Sequence, residues 1–287
     1  MDSVLVLIAA PGSGAIGPSV LDVLDMLGAD PHWLAEGEAL EVPPFIGQEE
    51  FVSALADLPI DANIVPVANR RKRLLIADMD STMIQQECID ELGVMAGIGD
   101  HIKAITLRAM KGELDFEGAL KARVKLLKGL DFGIIDKILA ERITLMPGGR
   151  TLIATMKANG AHTALVSGGF TPFTSKVAAM LGFDENQANE LIVADGLLTG
   201  EVGYPILGQQ AKLDALRRIS AQMGISTADA LAVGDGANDL AMLGEAGMGV
   251  ALHAKPQVQE AARFRVNHGD LTALLYLQGY CKEEFAD

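Results

Sequence analysis

Cysteine is scarce in this sequence. Its 287 residues include only Cys88 and Cys281, which lie far apart, and no cysteine pair has the spacing of a metal-thiolate site. A disulfide framework is therefore a poor interpretation, whereas two free thiols fit a reducing compartment. We expect a cytoplasmic protein.

Positive charge is also scarce. Lysine and arginine together number 23 against 38 acidic residues, which gives a formal net charge of -15. Nucleic acids and anionic membrane surfaces bind clustered Lys and Arg side chains, so neither is expected as a partner. An anionic small-molecule substrate would need a cation placed locally at its site.

Long apolar segments are absent, since no run approaches the ~18 residues of a membrane span. The apolar stretch 4–10 follows Asp2, whereas a signal peptide begins with positive charge, so we interpret it as the first strand of a mature protein. With 49% hydrophobic and 21% charged residues, the composition is that of a soluble globular protein with one large or two moderate domains.

Residues 1–68 are predicted to form a separate small domain. The pattern of apolar residues predicts strands and helices in the order βαββαβ, which is the ferredoxin-like arrangement. Its length and order resemble the ACT-type modules, which often pair through sheet edges or bind amino acids, so a homodimer through this unit is an expectation. The glycine spacing at 11–17 is that of a dinucleotide-binding loop, but the unit is too short for that fold.

The basic run at 69–73 is predicted to be a solvated linker between domains. From residue 73 to 287, apolar strands alternate with helices, which predicts an α/β fold with a Rossmann-like parallel sheet. Helical periodicity between about 85 and 142 predicts an all-helical insert, or cap, within this second domain.

Two carboxylates follow the buried strand predicted at 74–77. Asp78 and Asp80 come directly after four apolar residues, at the strand end where open α/β sheets build their sites. Such groups need a cation or hydrogen-bond donors, so the pair suggests a metal, a shared proton, or both. Taken alone, the pair favours the interpretation as ordinary strand-end caps or loop carboxylates, and only the rest of the chain changes that balance.

Three further segments carry compatible chemistry. Ser167 and Gly168 offer a hydroxyl and unhindered backbone N–H groups to phosphate oxygens, although such a segment is also an ordinary turn. Lys212 could neutralise a phosphoryl group or be a solvated helix residue. Asp235 and Asp239 follow another strand, and their oxygens suit Mg²⁺.

These four motifs together resemble those of the haloacid-dehalogenase-like phosphohydrolases. The sequences at 78–82, 167–170 and 234–240 and Lys212 stand in the order and spacing of that family. Over residues 73–270 the chain is similar to the phosphoserine phosphatases within it. Met83 stands where such sequences often carry leucine, a tolerable apolar exchange.

The resemblance implies a mechanism and a set of site residues. It implies Mg²⁺-dependent hydrolysis of O-phospho-L-serine through an aspartyl-phosphate, as the last step of L-serine biosynthesis. By this resemblance, Asp78 would be the nucleophile and Asp80 the general acid and base. The substrate would be bound by Ser167, Gly168, Lys212 and Asn238. Mg²⁺ would be held by Asp78, Asp235 and the backbone carbonyl of Asp80, with Asp239 supporting the metal site.

Substrate choice is assigned to the cap by the same resemblance. Glu87 stands where the family's glutamate meets the substrate ammonium, and Arg123 stands where a cap arginine meets its carboxylate. Phe116 is the cap's apolar contact. Without the family, exposed helical charges and a core phenylalanine are the ordinary interpretations of these residues.

Three alternatives remain open at this stage. A response-regulator receiver domain shares the acidic strand end and a late lysine, but it lacks a long helical insert. A pure amino-acid-sensing module would explain residues 1–68 and leave the four motifs unused. A phosphotransferase on the same scaffold would pass the phosphoryl group from Asp78 to a second alcohol.

Overall fold

The computed structural model describes residues 3–287, with the Met110 side chain excepted. The first two residues of the predicted domain 1–68, including Asp2, lie outside the described residues. Among residues 3–287, no helix combines the length and the apolar character that crossing a membrane requires.

The N-terminal part is a four-stranded antiparallel sheet with two helices. Its strands lie in the order β2-β3-β1-β4, which is the predicted ferredoxin-like arrangement. Both helices pack on one face of the sheet, where Val20, Leu24 and Phe51 are buried. The elements are β1 (Ser3–Ala9), α1 (Pro18–Met26), β2 (His32–Ala35), β3 (Ala39–Val42), α2 (Gln48–Ala54) and β4 (Ile60–Pro66).

A helical insert follows the first strand of the second part. Strand β5 (Leu74–Ala77) is fully buried, as expected for an apolar run in a parallel sheet. The insert lies within the predicted cap and consists of α3 (Cys88–Met95), α4 (Gly99–Met110), α5 (Phe116–Leu126) and α6 (Ile134–Glu141).

The remainder of the chain alternates strands and helices and contains one hairpin. The hairpin strands β8 and β9 pair antiparallel around the turn at 195–196. The elements are α7 (Gly149–Ala158), β6 (His162–Phe170), α8 (Thr171–Leu181), β7 (Glu185–Asn189), β8 (Leu191–Ala194), β9 (Leu197–Val202), α9 (Gln209–Met223), β10 (Ala230–Gly234), α10 (Leu240–Glu245), β11 (Met248–Leu252), α11 (Pro256–Ala261), β12 (Phe264–Val266) and α12 (Ala273–Leu277).

The core sheet has the strand order β12-β11-β10-β5-β6-β7, and every adjacent pair is parallel. The expectation of a Rossmann-like parallel sheet is confirmed. Because β5 lies between β10 and β6, the chain segments that follow these three strands emerge side by side at the carboxyl edge of the sheet. This edge carries the first motif (78–82), the second (167–170) and the fourth (234–240), with Lys212 as the third.

The hairpin is attached to the cap. Gly129 N–H donates to Leu198 O, and Leu198 N–H donates to Leu130 O, both at 2.8 Å. A Cβ atom added at Gly200 would lie 2.9 Å from Lys128 Cβ, so the hairpin and the end of α5 approach closely because glycine occupies this position.

The N-terminal sheet docks on the second part through a shared apolar core. Val6 and Ile8 belong to the same buried cluster as Leu274 and Leu277 of α12. Buried Asp61 accepts hydrogen bonds from the backbone N–H groups of 267–269 at 2.6–3.0 Å. These contacts fix β4 beside β12.

The prediction that 69–73 is a solvated linker is wrong for Arg70 and Lys72, whereas Asn69, Arg71 and Arg73 are exposed. Arg70 pairs with Glu41 at 2.6 Å and donates to the carbonyl oxygens of Leu277 and Tyr276. Lys72 is buried because its ammonium donates to two backbone carbonyl oxygens. Contacts within the protein rather than water therefore satisfy these two cations.

Candidate active site

Asp78 lies directly after β5 at the carboxyl edge of the sheet and is 5% exposed. Its N–H continues the sheet by donating to Val233 O at 3.0 Å, and its Oδ1 accepts the Met79 N–H at 2.7 Å. The backbone therefore fixes the carboxylate at the end of a buried strand.

Lys212 bridges two of these acids. Its ammonium, in the first turn of α9, lies 2.7 Å from Asp78 Oδ1 and 2.6 Å from Asp239 Oδ1. Burial opposes the charged form, but the two carboxylates outweigh it and raise the pKa of Lys212. Lys212 is thus a buried group whose charged form its two acidic partners favour, and the interpretation as a solvated helix residue is wrong.

Asp239 occupies space that only a glycine in β10 leaves free. A Cβ atom at Gly234 would lie 2.3 Å from Asp239 Cγ, and Gly236 N–H donates to Asp239 Oδ2 at 3.0 Å. Burial and the charge of Asp78 raise the pKa of Asp239 to about 7. The glycines of the fourth motif therefore let a carboxylate lie against the backbone.

Asp78, Asp235 and Asp239 place one carboxylate oxygen each within 4.8 Å of one another. Burial, followed by the charge of Asp78, raises the pKa of Asp235 to about 6 against the opposing charge of Lys255, 3.7 Å away. Buried oxygens of like charge suit a hard divalent cation that keeps part of its water shell.

Asp80 faces the same space. Its Oδ1 accepts the Cys88 N–H at 2.8 Å, and its Oδ2 accepts the Ser167 hydroxyl at 3.4 Å. Burial, Glu87 and Asp78 together raise the pKa of Asp80 to about 7. A carboxyl group with this pKa can hold or release a proton near neutral pH.

The second motif fits closely around these acids. Gly169 N–H donates to Ser167 Oγ at 2.8 Å. A Cβ atom at Gly169 would lie 2.8 Å from Asp80 Oδ2, so the close approach of the two strand ends requires glycine.

Glu87 and Arg123 approach from the cap side. Glu87 is exposed and accepts the Ser81 hydroxyl at 2.7 Å. Burial lowers the pKa of the Arg123 guanidinium, while the charges of Asp90, Glu87 and Asp80 oppose that shift. The half-buried Arg123 thus lies close enough to these three acids for their negative charges to favour its charged form.

Phe116 opens α5, whose first turn is capped by Asp115 accepting the Gly118 N–H at 2.7 Å. Its ring lies between two glycines, since a Cβ atom at either Gly168 or Gly208 would be 3.1 Å from a ring carbon. The cap therefore touches the core through this ring.

Asn238 is half-buried beside the acids. A Cβ atom at Gly236 would lie 2.4 Å from Asn238 Oδ1, so the amide folds over the backbone of the fourth motif. The structure thus brings the residues of the four motifs to one edge of the core sheet, with Glu87, Phe116 and Arg123 on the cap side.

Three residues beside the site were not identified from the sequence. Cys88 donates its N–H to Asp80, Gly208 borders Phe116, and Asn189 bonds to Gly168. A glycine just before the helix of Lys212 was a visible signal for Gly208. The other two act through tertiary hydrogen bonds that local sequence does not reveal.

Two bacterial proteins show what this chain is similar to in sequence. The chain is 47% identical over 231 residues to a phosphoserine phosphatase of Streptomyces coelicolor, covering 80% of this chain and 56% of that protein. It is 43% identical over 230 residues to a phosphoserine phosphatase of Haemophilus influenzae, covering 79% of this chain and 73% of that protein. The match thus spans little more than half of the Streptomyces protein.

Solved structures share the whole architecture. A haloacid dehalogenase family hydrolase from Salmonella enterica serovar Typhi superposes with a TM-score of 0.86 at 30% identity, covering 96% of this chain and 98% of that one. An unliganded probable phosphoserine phosphatase from Vibrio cholerae gives 0.82 at 32% identity, covering 98% and 88%.

The family comparison covers the segment that carries all four motifs. Residues 75–244 match the family described as haloacid dehalogenase-like hydrolase. With its parallel sheet, its acidic edge and these relatives, the chain belongs to the haloacid dehalogenase-like hydrolases.

Proposed function

We propose that this chain hydrolyses O-phospho-L-serine to L-serine and phosphate, as the last step of L-serine biosynthesis. The observation that carries the proposal is Lys212 holding Asp78 at 2.7 Å, beneath a cap that supplies Arg123 and Glu87. The names of the Streptomyces and Haemophilus relatives support the same substrate.

In the first step, a carboxylate oxygen of Asp78 attacks phosphorus, and the bond from phosphorus to the serine oxygen breaks. Asp80 gives its proton to that oxygen, so serine leaves as a neutral alcohol. In the second step, water attacks the aspartyl-phosphate, Asp80 takes the proton, and phosphate leaves Asp78. The raised pKa of Asp80 suits both transfers near neutral pH.

The buried acids fit a divalent cation. Three carboxylate oxygens lie within 4.8 Å of one another, against the buried ammonium of Lys212 and the more exposed one of Lys255, which leaves uncompensated negative charge in a desolvated place. Asp78, Asp235 and the backbone carbonyl of Asp80 would hold Mg²⁺, with Asp239 supporting them. When bound, the ion would offset the repulsion between these acids and the dianionic phosphate.

The remaining site residues would recognise the substrate. Ser167, Gly168, Lys212 and Asn238 would bind the phosphoryl group through donors that favour its negative charge. Arg123 would pair with the substrate carboxylate, Glu87 with the ammonium, and the Phe116 ring would cover the serine methylene.

The organisation of the whole chain belongs to this proposal. Residues 1–68 would form an ACT-like domain that can pair two copies, and residues 73–287 would form the catalytic domain with its cap at about 85–142. The charge of -15 supports a small-molecule partner rather than nucleic acid. The two free thiols fit a reducing compartment such as the cytoplasm.

A phosphate-release screen with Mg²⁺ tests the proposal. Phosphoserine should be turned over faster than phosphothreonine, phosphoethanolamine or sugar phosphates, and excess chelator should abolish turnover until Mg²⁺ is restored. Full activity in chelator would refute the metal requirement. A clear preference for a sugar phosphate would refute the substrate.

A further inference from the structure

Asn189, the last residue of β7, is 1% exposed and uses its amide on two separate segments. Its Nδ2 donates to Gly168 O at 2.9 Å and to Leu207 O at 3.1 Å, and its Oδ1 accepts the Leu207 N–H at 2.7 Å. One buried side chain thus ties the end of β6 to the segment that leads into α9.

These two segments are the walls around Phe116. Gly168 borders one side of the ring, and Gly208, directly after Leu207, borders the other. A Cβ atom at either position would lie 3.1 Å from a ring carbon, so a side chain there would force the ring to shift. The spacing of the two walls is therefore set by the hydrogen bonds of Asn189.

The same amide reaches the phosphoryl-binding residues. The Gly168–Gly169 peptide is held at its carbonyl by Asn189 and at its N–H by Ser167 Oγ, at 2.8 Å. A peptide plane fixed at both ends cannot rotate freely, so the orientation of the second motif depends on Asn189.

Asn189 also lies at the base of the β8–β9 hairpin. It precedes Leu191 of β8, and Leu207 follows β9 after a short loop, while Gly203 N–H donates to Glu190 O at 2.8 Å. Because the hairpin is bonded to the cap at 129–130, the base clamped by Asn189 is continuous with the cap.

We propose that Asn189 is a positioning residue that sets the slot for Phe116 and so seats the cap over the substrate. The inference rests on the proposed function for its kinetic part and on the geometry of Gly168, Leu207 and Gly208 for its structural part. Asn189 touches no reacting atom in this scheme.

Asn189→Asp is the primary variant, because it keeps the shape and the Oδ1 acceptor while it replaces the donor with an oxygen facing two carbonyls. Asn63→Asp is the matched control, since buried Asn63 also bonds one backbone N–H and one C=O, but beside β12 at the far end of the core sheet. Both variants should lower the melting temperature. Only Asn189→Asp should lower kcat/KM for phosphoserine, by about tenfold or more, which corresponds to about 1.4 kcal/mol.

A double-mutant cycle separates positioning from general destabilisation. In the Phe116→Ala background, Asn189→Asp should lower kcat/KM by a smaller factor than in the unmodified protein, because the ring that the slot receives is gone and only the hold on the Gly168–Gly169 peptide is lost. Gly208→Ala, which leaves Asn189 intact and crowds the slot, should reproduce the fall in kcat/KM. Fully multiplicative losses, or a Gly208→Ala variant like the unmodified protein, would overturn the inference.

Hydrogen exchange without substrate gives a readout independent of activity. The backbone amides of the first turns of α5 should exchange faster in Asn189→Asp and remain unchanged in Asn63→Asp. Unchanged exchange in Asn189→Asp would overturn the inference. Failure of the unmodified protein to hydrolyse phosphoserine would refute the proposed function, and the exchange experiment would still decide the role of Asn189.

Discussion

The ammonium of Lys212 lies 2.6 Å from Asp239 Oδ1, and neither side chain is more than 1% exposed. The same ammonium also contacts Asp78, so one positive charge serves two buried carboxylates. The pair is costly to desolvate but still more costly to break, because a lone buried charge has no water to replace its partner.

Lys212→Met should therefore remove stability as well as activity. Without the ammonium, the charges of Asp78 and Asp239 are left unpaired, and the free energy of unfolding should fall by about 3–5 kcal/mol in chelator. Urea denaturation measures this loss. Arg217→Met removes an exposed ion pair from the same helix and should cost less than about 1 kcal/mol; equal losses for the two variants would contradict the prediction.

Asp78→Asn should abolish turnover and the phosphoenzyme without lowering stability. The amide cannot act as nucleophile, but it removes a charge that raises the pKa values of Asp80, Asp235 and Asp239. Mass spectrometry of acid-quenched enzyme should find phosphate on Asp78 only in the unmodified protein. In chelator the melting temperature of the variant should equal or exceed that of the unmodified protein, and a phosphoenzyme in Asp78→Asn would place the nucleophile elsewhere.

Arg123→Ala should discriminate between two substrates. Loss of the guanidinium leaves the carboxylate of phosphoserine unpaired at a cost of about 2–5 kcal/mol, so kcat/KM should fall by roughly 30-fold to several thousand-fold. Phosphoethanolamine lacks that carboxylate, and its slower turnover should hardly change.

Glu87→Gln is the companion variant to Arg123→Ala. It should impair both substrates, because both carry the ammonium. Arg123→Lys should restore only part of the activity on phosphoserine, since lysine lacks the planar fork. Equal losses on both substrates for Arg123→Ala would mean that Arg123 holds the cap together.

Asp61→Ala should destabilise the protein and leave the chemistry intact. Three backbone N–H groups at 267–269 lose a charged acceptor, so the free energy of unfolding should fall by about 3 kcal/mol. At 25 °C, kcat/KM should not change, since no proposed catalytic residue precedes residue 73. Asp25→Ala, at an exposed helix position, should shift stability by less than about 0.5 kcal/mol.

Much of the fold follows from local patterns. The run at 74–77 is apolar throughout and ends in Asp78, which is sufficient to predict a buried strand that carries an acid. The order of elements in the N-terminal sheet also follows from alternation and turns. Because parallel strands present their carboxyl ends together, the motif residues could be expected to meet before their distances were known.

Other elements leave little local signal. Strand β7 reads Glu-Asn-Gln-Ala-Asn, residues with low strand preference, and it forms because its backbone pairs with β6 at the sheet edge. Helices α10 and α11 have only six residues each, too few for a clear period. Lys212 looked like a solvated residue because only tertiary contacts reveal its two acidic partners.

The Asn63 side chain occupies part of the free edge of the core sheet, at β12. Strand β12 is an edge strand, and the N–H and C=O groups of Arg265 both bond to the Asn63 side chain, at 2.9 and 2.8 Å. Unpaired edges of this kind are templates on which another chain can add a strand and start aggregation. The N-terminal sheet thus hinders strand addition at this edge, because the Asn63 amide occupies the N–H and C=O groups of Arg265 that a seventh strand would need.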